Sequence, residues 1–223
     1  YLLFGVVADG SSSEFIAFLP VRCTLVKTFQ EVDLRLFIFD VGGVIAENTN
    51  VVPSICNFLG ISKDEFLDSA EMENIIALQT GRLTAEEFVY MFSRKLGRPV
   101  PGNIWEMFFK PEPIEETVEI IKQLRRKHRV IAGTNTIEPH FKVHTLRGDY
   151  DIFDKVYASH IIGFAKPDIE FYSHILEKEF CMPEETFFTD DTARNVEAAA
   201  KTGMNAFHFT ESATLREKLR EYL

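Results

Sequence analysis

Several things are scarce in this chain, and each scarcity excludes something. There are three cysteines in 223 residues, Cys23, Cys56 and Cys181, far apart and odd in number. That spacing fits no metal-ligand pattern and no disulfide framework, so reduced thiols in a cytoplasmic protein are the expectation. No apolar run reaches the ~18 residues that a membrane-spanning helix needs. Positive charge is short: 24 Lys and Arg stand against 34 Asp and Glu, a formal net charge of −10. A nucleic-acid binder needs a basic surface to displace counterions, so that partner is not expected. A small phosphorylated metabolite stays open as a partner, because a few local cations can hold it.

The N-terminal stretch, residues 1–34, is apolar but broken by Asp9, Gly10 and three serines, and it has no basic residue before Arg22. A signal peptide needs a basic segment ahead of a compact apolar one, so none is expected. Alternation over Cys23-Thr24-Leu25-Val26-Lys27-Thr28-Phe29 suggests strand. The reading is an extension with one or two strands that packs on the main domain or on a second copy. This leaves room for a homodimer formed through the extension or the insertion described next.

From residue 35 the pattern is regular. Leu34 to Phe39 reads as a buried strand. Residues 49–111 carry helical spacing without a comparable strand (Ile55, Phe58 and Leu59; Phe66 and Leu67; Phe88, Met91 and Phe92). Thr84 with Glu86 and Glu87 fits a capped helix start. About four short helices are expected there, with Phe92, Trp105, Phe108 and Phe109 as their core. Strands then alternate with helices: strands at 129–132, 155–158, 186–189 and 205–209, helices at 114–127, 138–147, 168–179, 192–202 and 212–222. Such alternation means a Rossmann-like α/β fold, a parallel sheet covered by helices on both faces. The domains are read as the extension (1–34), the α/β core (35–48 and 112–223) and a small helical insertion (49–111) after the first core strand. In such sheets ligands sit at the carboxyl ends of the strands.

Those ends carry Asp40 in "FDVGGVI", Thr134 and Asn135 in "GTNT", Lys166 in "GFAKPD", and Asp190 and Asp191 in "TDDTARN". Singly they are ordinary, since carboxylates after strands commonly cap helices and Thr-Asn pairs commonly make turns. Together they bring three carboxylates, a lysine and a hydroxyl to one rim. Three carboxylates repel unless a cation sits among them, and a few hard oxygen ligands suit Mg²⁺. A carboxylate nucleophile, a metal and fixed donors make a phosphoryl-transfer site.

The four motifs, in this order over residues 35–223, resemble the haloacid dehalogenase (HAD) superfamily. They are most similar to the helical-capped branch that holds glucose-1-phosphate phosphatase and the N-terminal domain of soluble epoxide hydrolase. The resemblance implies a HAD-like hydrolase whose insertion is a cap. It implies Asp40 as nucleophile, and Mg²⁺ on Asp40, the Gly42 carbonyl, Asp190 and Asp191, with Asp191 the direct ligand and Asp190 acting through water. Phosphate is held by Thr134, the Asn135 N–H and Lys166, and Asn195 braces the last loop. Gly42 is a departure. Most phosphatases of the superfamily carry there an Asp that protonates the leaving oxygen and later activates water. Glu47 and His140 are the candidate substitute acids. Three readings follow: a phosphatase for esters with good leaving groups, a dehalogenase, or a binding protein without turnover.

Overall fold

All four residues of the first strand are buried. A strand covered on both faces belongs inside a sheet between helical layers, and it holds that place in the computed structural model, which describes residues 33–223. The strands expected in the N-terminal extension, and Cys23, fall on residues outside that range. Cys56 and Cys181 are free thiols.

In chain order the strands are β1 (Leu36–Phe39), β2 (Ala46–Glu47), β3 (Glu112–Pro113), β4 (Arg129–Thr134), β5 (Lys155–Ala158), β6 (Thr186–Asp190) and β7 (Asn205–His208). Five form one parallel sheet in the order β5-β4-β1-β6-β7. Phe39 pairs with Ala132 of β4 on one side and Thr189 of β6 on the other, so the carboxyl ends of the three central strands lie together. Successive residues of β1 feed opposite faces. Phe37 and Phe39 pack with Val130, Ala132 and Phe187 in one core, while Leu36 and Ile38 pack with Ile131 and Phe188 in another.

Helices cover both faces, as the alternation predicts. Helix α6 (Glu115–Leu124) and α11 (Ser212–Lys218) bury Ile120, Ile121, Leu124 and Leu215 in the first core. Helix α9 (Ile169–Glu179) and α10 (Ala193–Lys201) bury Phe171, Tyr172, Ile175, Ala198 and Ala199 in the second. Helix α7 (Glu138–Arg147) follows β4, and the one-turn α8 (Ser159–Ile162) follows β5. Among the described residues no helix is long and apolar enough to cross a membrane.

Between β2 and β3 lie five helices where about four were expected: α1 (Val52–Leu59), α2 (Lys63–Ala70), α3 (Met72–Gln79), α4 (Ala85–Leu96) and α5 (Ile104–Phe108). They share a core built on Ile55, Phe66, Phe88, Phe92, Trp105 and Phe109. Each fully buried phenylalanine contributes roughly 1.5–3 kcal/mol. Helix α4 starts on Thr84, whose hydroxyl accepts from the Glu87 N–H while the Glu87 carboxylate accepts from the Thr84 N–H. Two residues expected on buried helical faces point outward: Phe58 is 50% exposed and Met91 is 40% exposed. The buried stripes run instead through Ile55, Cys56 and Leu59, and through Phe88, Val89 and Phe92. Phe108 is only partly buried and packs on Phe58.

The chain leaves and returns to the core along the antiparallel β2–β3 pair, joined also by the Ile114 N–H to the Ile45 carbonyl at 2.8 Å.

Candidate active site

Asp40 directly follows β1, and its N–H donates to the Thr189 carbonyl at 2.9 Å, which fixes the carboxylate at the rim. Thr134 and Asp190 are the last residues of β4 and β6, so they belong to the strands rather than to the loops after them. Lys166 reaches the same place from the loop between α8 and α9. It is buried, and its ammonium pairs with Asp40 Oδ1 at 2.7 Å and donates to Asp190 Oδ2 at 2.6 Å and the Gly133 carbonyl at 2.9 Å. All three of its donors are therefore used. Asn135 clamps that loop: its Oδ1 accepts from the Lys166 N–H and its Nδ2 donates to the Lys166 carbonyl, each at 2.8 Å.

Asp190 is fully buried and saturated. Besides Lys166, its Oδ1 accepts from the Thr192 N–H at 2.8 Å, and Asn195 Nδ2 lies 3.1 Å from both of its oxygens. Asn195 is held in turn by the Tyr172 hydroxyl, which donates to its carbonyl. Asp191 is exposed, and its carboxylate accepts from the Thr192 hydroxyl at 3.2 Å. Each of Asp40, Asp190 and Asp191 offers an oxygen within 4.8 Å of the others. Burial pushes the Asp40 carboxyl up to about 7; Lys166 pulls it down and Asp190 pushes it further up. Asp191 is also raised, by desolvation of the part of its carboxyl that faces the cluster although the residue is exposed, with Asp190 adding to it. Lys166 is held above the usual lysine range because its two carboxylate partners together outweigh burial, which acts the other way.

These groups open on a cleft of about 690 Å³. Asp40, Gly42, Gly43, Lys166 and Asp191 line it from the core, and Thr49, Asn50, Pro53 and Gln79 from the insertion side. Gly43 carries a requirement that the sequence did not reveal. Its φ is +76°, and a β-carbon there would lie 2.2 Å from Asp191 Oδ2. The missing side chain is what lets the Asp191 carboxylate approach.

Of the two candidate acids, Glu47 lines the cleft and His140 does not. The His140 ring stacks on Phe109 at 3.8 Å, its Nε2 sits 3.3 Å from the Trp105 carbonyl, and burial lowers its pKa to about 4. It is neutral near pH 7. Thr134 is buried and is not among the lining residues. Arg194, exposed beside the paired aspartates, lines the cleft and was missed although it stands within "TDDTARN". Thr49 and Gln79 were missed because nothing in the local pattern says which way the insertion faces.

Against known proteins, a haloacid dehalogenase-like hydrolase model matches residues 34–203. The chain belongs to the haloacid dehalogenase-like hydrolase family. A sesquiterpene phosphatase of Aspergillus oryzae is 27% identical over 191 residues, 82% of this chain and 94% of that protein. A D-ribitol-5-phosphate phosphatase of Bacteroides thetaiotaomicron is 25% identical over 201 residues, 83% of this chain and 97% of that one. Among solved structures, a HAD-family enzyme of B. thetaiotaomicron in complex with magnesium and inorganic phosphate superposes with a TM-score of 0.68 at 25% identity, covering 79% of this chain and 94% of that one. The L-2-haloacid dehalogenase of Xanthobacter autotrophicus shares the fold, with a TM-score of 0.58 at 16% identity over 84% of this chain and 83% of that one.

Proposed function

We propose that this hydrolase is a Mg²⁺-dependent phosphatase of small phosphate monoesters that works through an aspartyl-phosphate on Asp40. The observation that carries the reading is the buried Lys166 ammonium joined to both Asp40 and Asp190, with Asp191 beside them. A lysine held between two carboxylates leaves the cluster with excess negative charge. Three hard oxygen donors within 4.8 Å suit a small divalent cation. Asp40, Asp191 and the Gly42 carbonyl would hold Mg²⁺; Asp190, expected to reach the ion through water, instead spends its acceptor sites on Lys166, Asn195 and the Thr192 N–H and so positions those groups. Bound there, the ion spreads the charge of a transferring phosphoryl group. The B. thetaiotaomicron relative binds magnesium and phosphate, which supports the assignment.

The chain's own residues divide the chemistry. An Asp40 oxygen attacks phosphorus and the ester P–O bond breaks, so the alcohol oxygen leaves with its electron pair and takes up a proton. Water then attacks the phosphorus of the aspartyl-phosphate, releasing inorganic phosphate and restoring the Asp40 carboxylate. Lys166 neutralises charge on nucleophile and phosphate, and the Asn135 N–H holds a phosphate oxygen; the Thr134 hydroxyl, behind the cleft wall, reaches the phosphate only if the ligand sits deeper than the open cleft. Glu47, in the cleft, is placed better than His140 to supply the proton that Gly42 cannot. The helical insertion acts as the cap that sets substrate choice and excludes water.

A panel of phosphate esters assayed with Mg²⁺ and with EDTA tests this. Metal-dependent phosphate release that Asp40→Asn abolishes is the expected result, because an amide is a poor nucleophile. Silence across the panel favours the second reading, a ligand-binding member without turnover, which the missing acid at Gly42 would explain.

A further inference from the structure

A second pocket, of about 200 Å³, adjoins the catalytic cleft, and Thr49, Asn50, Gln79 and Asn135 line both. Asn135 is the residue that clamps Lys166, so this pocket begins one side chain away from the reacting groups. Its character differs from that of the cleft. Beyond the shared polar neck its walls include Val51, Phe66, Leu78, Trp105, Ile137 and His140. His140 adds no charge there, because burial keeps its ring neutral. The indole N–H of Trp105 is buried without a hydrogen-bond partner, a single unmet donor on a wall otherwise built from Val51, Phe66, Leu78 and Ile137. An apolar cavity of about 150 Å³ in another protein stays dry and takes up benzene, so a pocket of this size has room for one aromatic ring or a short branched alkenyl chain.

We infer that this pocket receives the organic part of the substrate, and that the substrate is a monoester carrying a compact apolar group, aryl or alkenyl, rather than a polyol phosphate. The inference rests on the phosphatase reading, since only a phosphate held at Asp40 and Lys166 makes the pocket a leaving-group site. Placing a hydroxyl-rich chain there would strip water from each hydroxyl with few partners to replace it. An apolar group gains by leaving water instead.

The test compares esters of primary alcohols, so that leaving-group acidity does not decide the outcome: benzyl and 3-methylbut-2-enyl phosphates against ethyl and glycerol phosphates, with Mg²⁺. The apolar pair is expected to exceed the other by about tenfold or more in kcat/KM. Ile75 also lines the pocket, and Leu78→Phe and Ile75→Phe, which fill it from two positions, should each remove most of that advantage. Trp105 is the sole tryptophan of the chain, so its emission reads occupancy without turnover. Titration with benzyl alcohol should give a saturable change in the wild type that Leu78→Phe abolishes. Glycerol phosphate hydrolysed as well as benzyl phosphate, with no saturable fluorescence change, would overturn the inference and leave the phosphatase reading standing. Saturable benzyl alcohol binding with no ester turned over would support the pocket and sink the phosphatase reading.

Discussion

A β-carbon built on Gly42 would stand 3.0 Å from the Thr49 hydroxyl oxygen, and both residues line the cleft in front of Asp40. The Gly42 backbone lies outside the left-handed region, so the obstacle to a side chain there is Thr49 and not strain. Gly42→Asp alone is therefore expected to give a small gain in turnover. Gly42→Asp with Thr49→Ala should give a larger one, concentrated on esters with poor leaving groups. General acid–base help of this kind is worth up to about 10²–10⁴-fold. The measurement is kcat/KM against leaving-group pKa for wild type, both single variants and the double variant. A flat wild-type series would show that another residue, Glu47 first, already supplies the proton.

Gly43 makes the opposite demand. Gly43→Ala places a methyl group where Asp191 Oδ2 now lies and does so at positive φ, a conformation that costs a non-glycine residue about 1–2 kcal/mol. The Mg²⁺ concentration for half-maximal activity should rise by about tenfold or more. A Mg²⁺ titration of Gly43→Ala that overlays the wild type would show that Asp191 does not hold the metal.

Lys166→Met leaves Asp40 and Asp190 buried without their shared cation. Breaking a buried ion pair from one side costs about 3–5 kcal/mol. Urea unfolding at pH 7.5 should show a loss of that order, together with loss of turnover. A variant as stable as the wild type would mean that the two carboxylates share a proton in its place.

Much of this was legible in the chain. The three central strands, β1, β4 and β6, are short apolar runs that lead to Asp40, Thr134 and Asp190, and those polar residues come together at the rim. The Asn195 brace was implied only by the family resemblance, with helix packing as the equal alternative, and the structure decides it: its Nδ2 lies 3.1 Å from both Asp190 oxygens. Other features had no local signature. Strands β2 and β3 have two residues each, too few to show a period. Helix α5 has five residues and lacks a side-chain cap. The surroundings of His140 depend on Phe109 and Trp105, more than thirty residues away in sequence, so its neutrality was invisible locally.

That neutrality has a consequence in acid. The His140 pKa falls to about 4 from an ordinary 6.5 through burial, and burial lowers His144 as well, against the pull of its Asp149 partner. A base whose folded pKa is depressed contributes stability that is complete above about pH 6.5 and is lost as the pH falls toward 4. For His140 the loss is on the order of 3 kcal/mol, at about 1.4 kcal/mol per unit. His140→Phe, which keeps an aromatic ring against Phe109, should flatten the fall of Tm between pH 6.5 and 4. An unchanged slope would assign the acid sensitivity to other groups.

The β2–β3 pair has a consequence for how the chain tolerates its own architecture. Ala46 pairs with Pro113 and Glu47 with Glu112, so everything between them begins and ends at one spot on the core. To the sheet, five helices amount to a single closed loop. The entropy of closing a loop grows only slowly with its length, so lengthening, shortening or replacing that loop changes the cost of closure little as long as the two short strands still pair. A relative with a different set of helices at this position can keep the same rim of aspartates and lysine. Selection can therefore redesign what reaches the site without disturbing the chemistry beneath it.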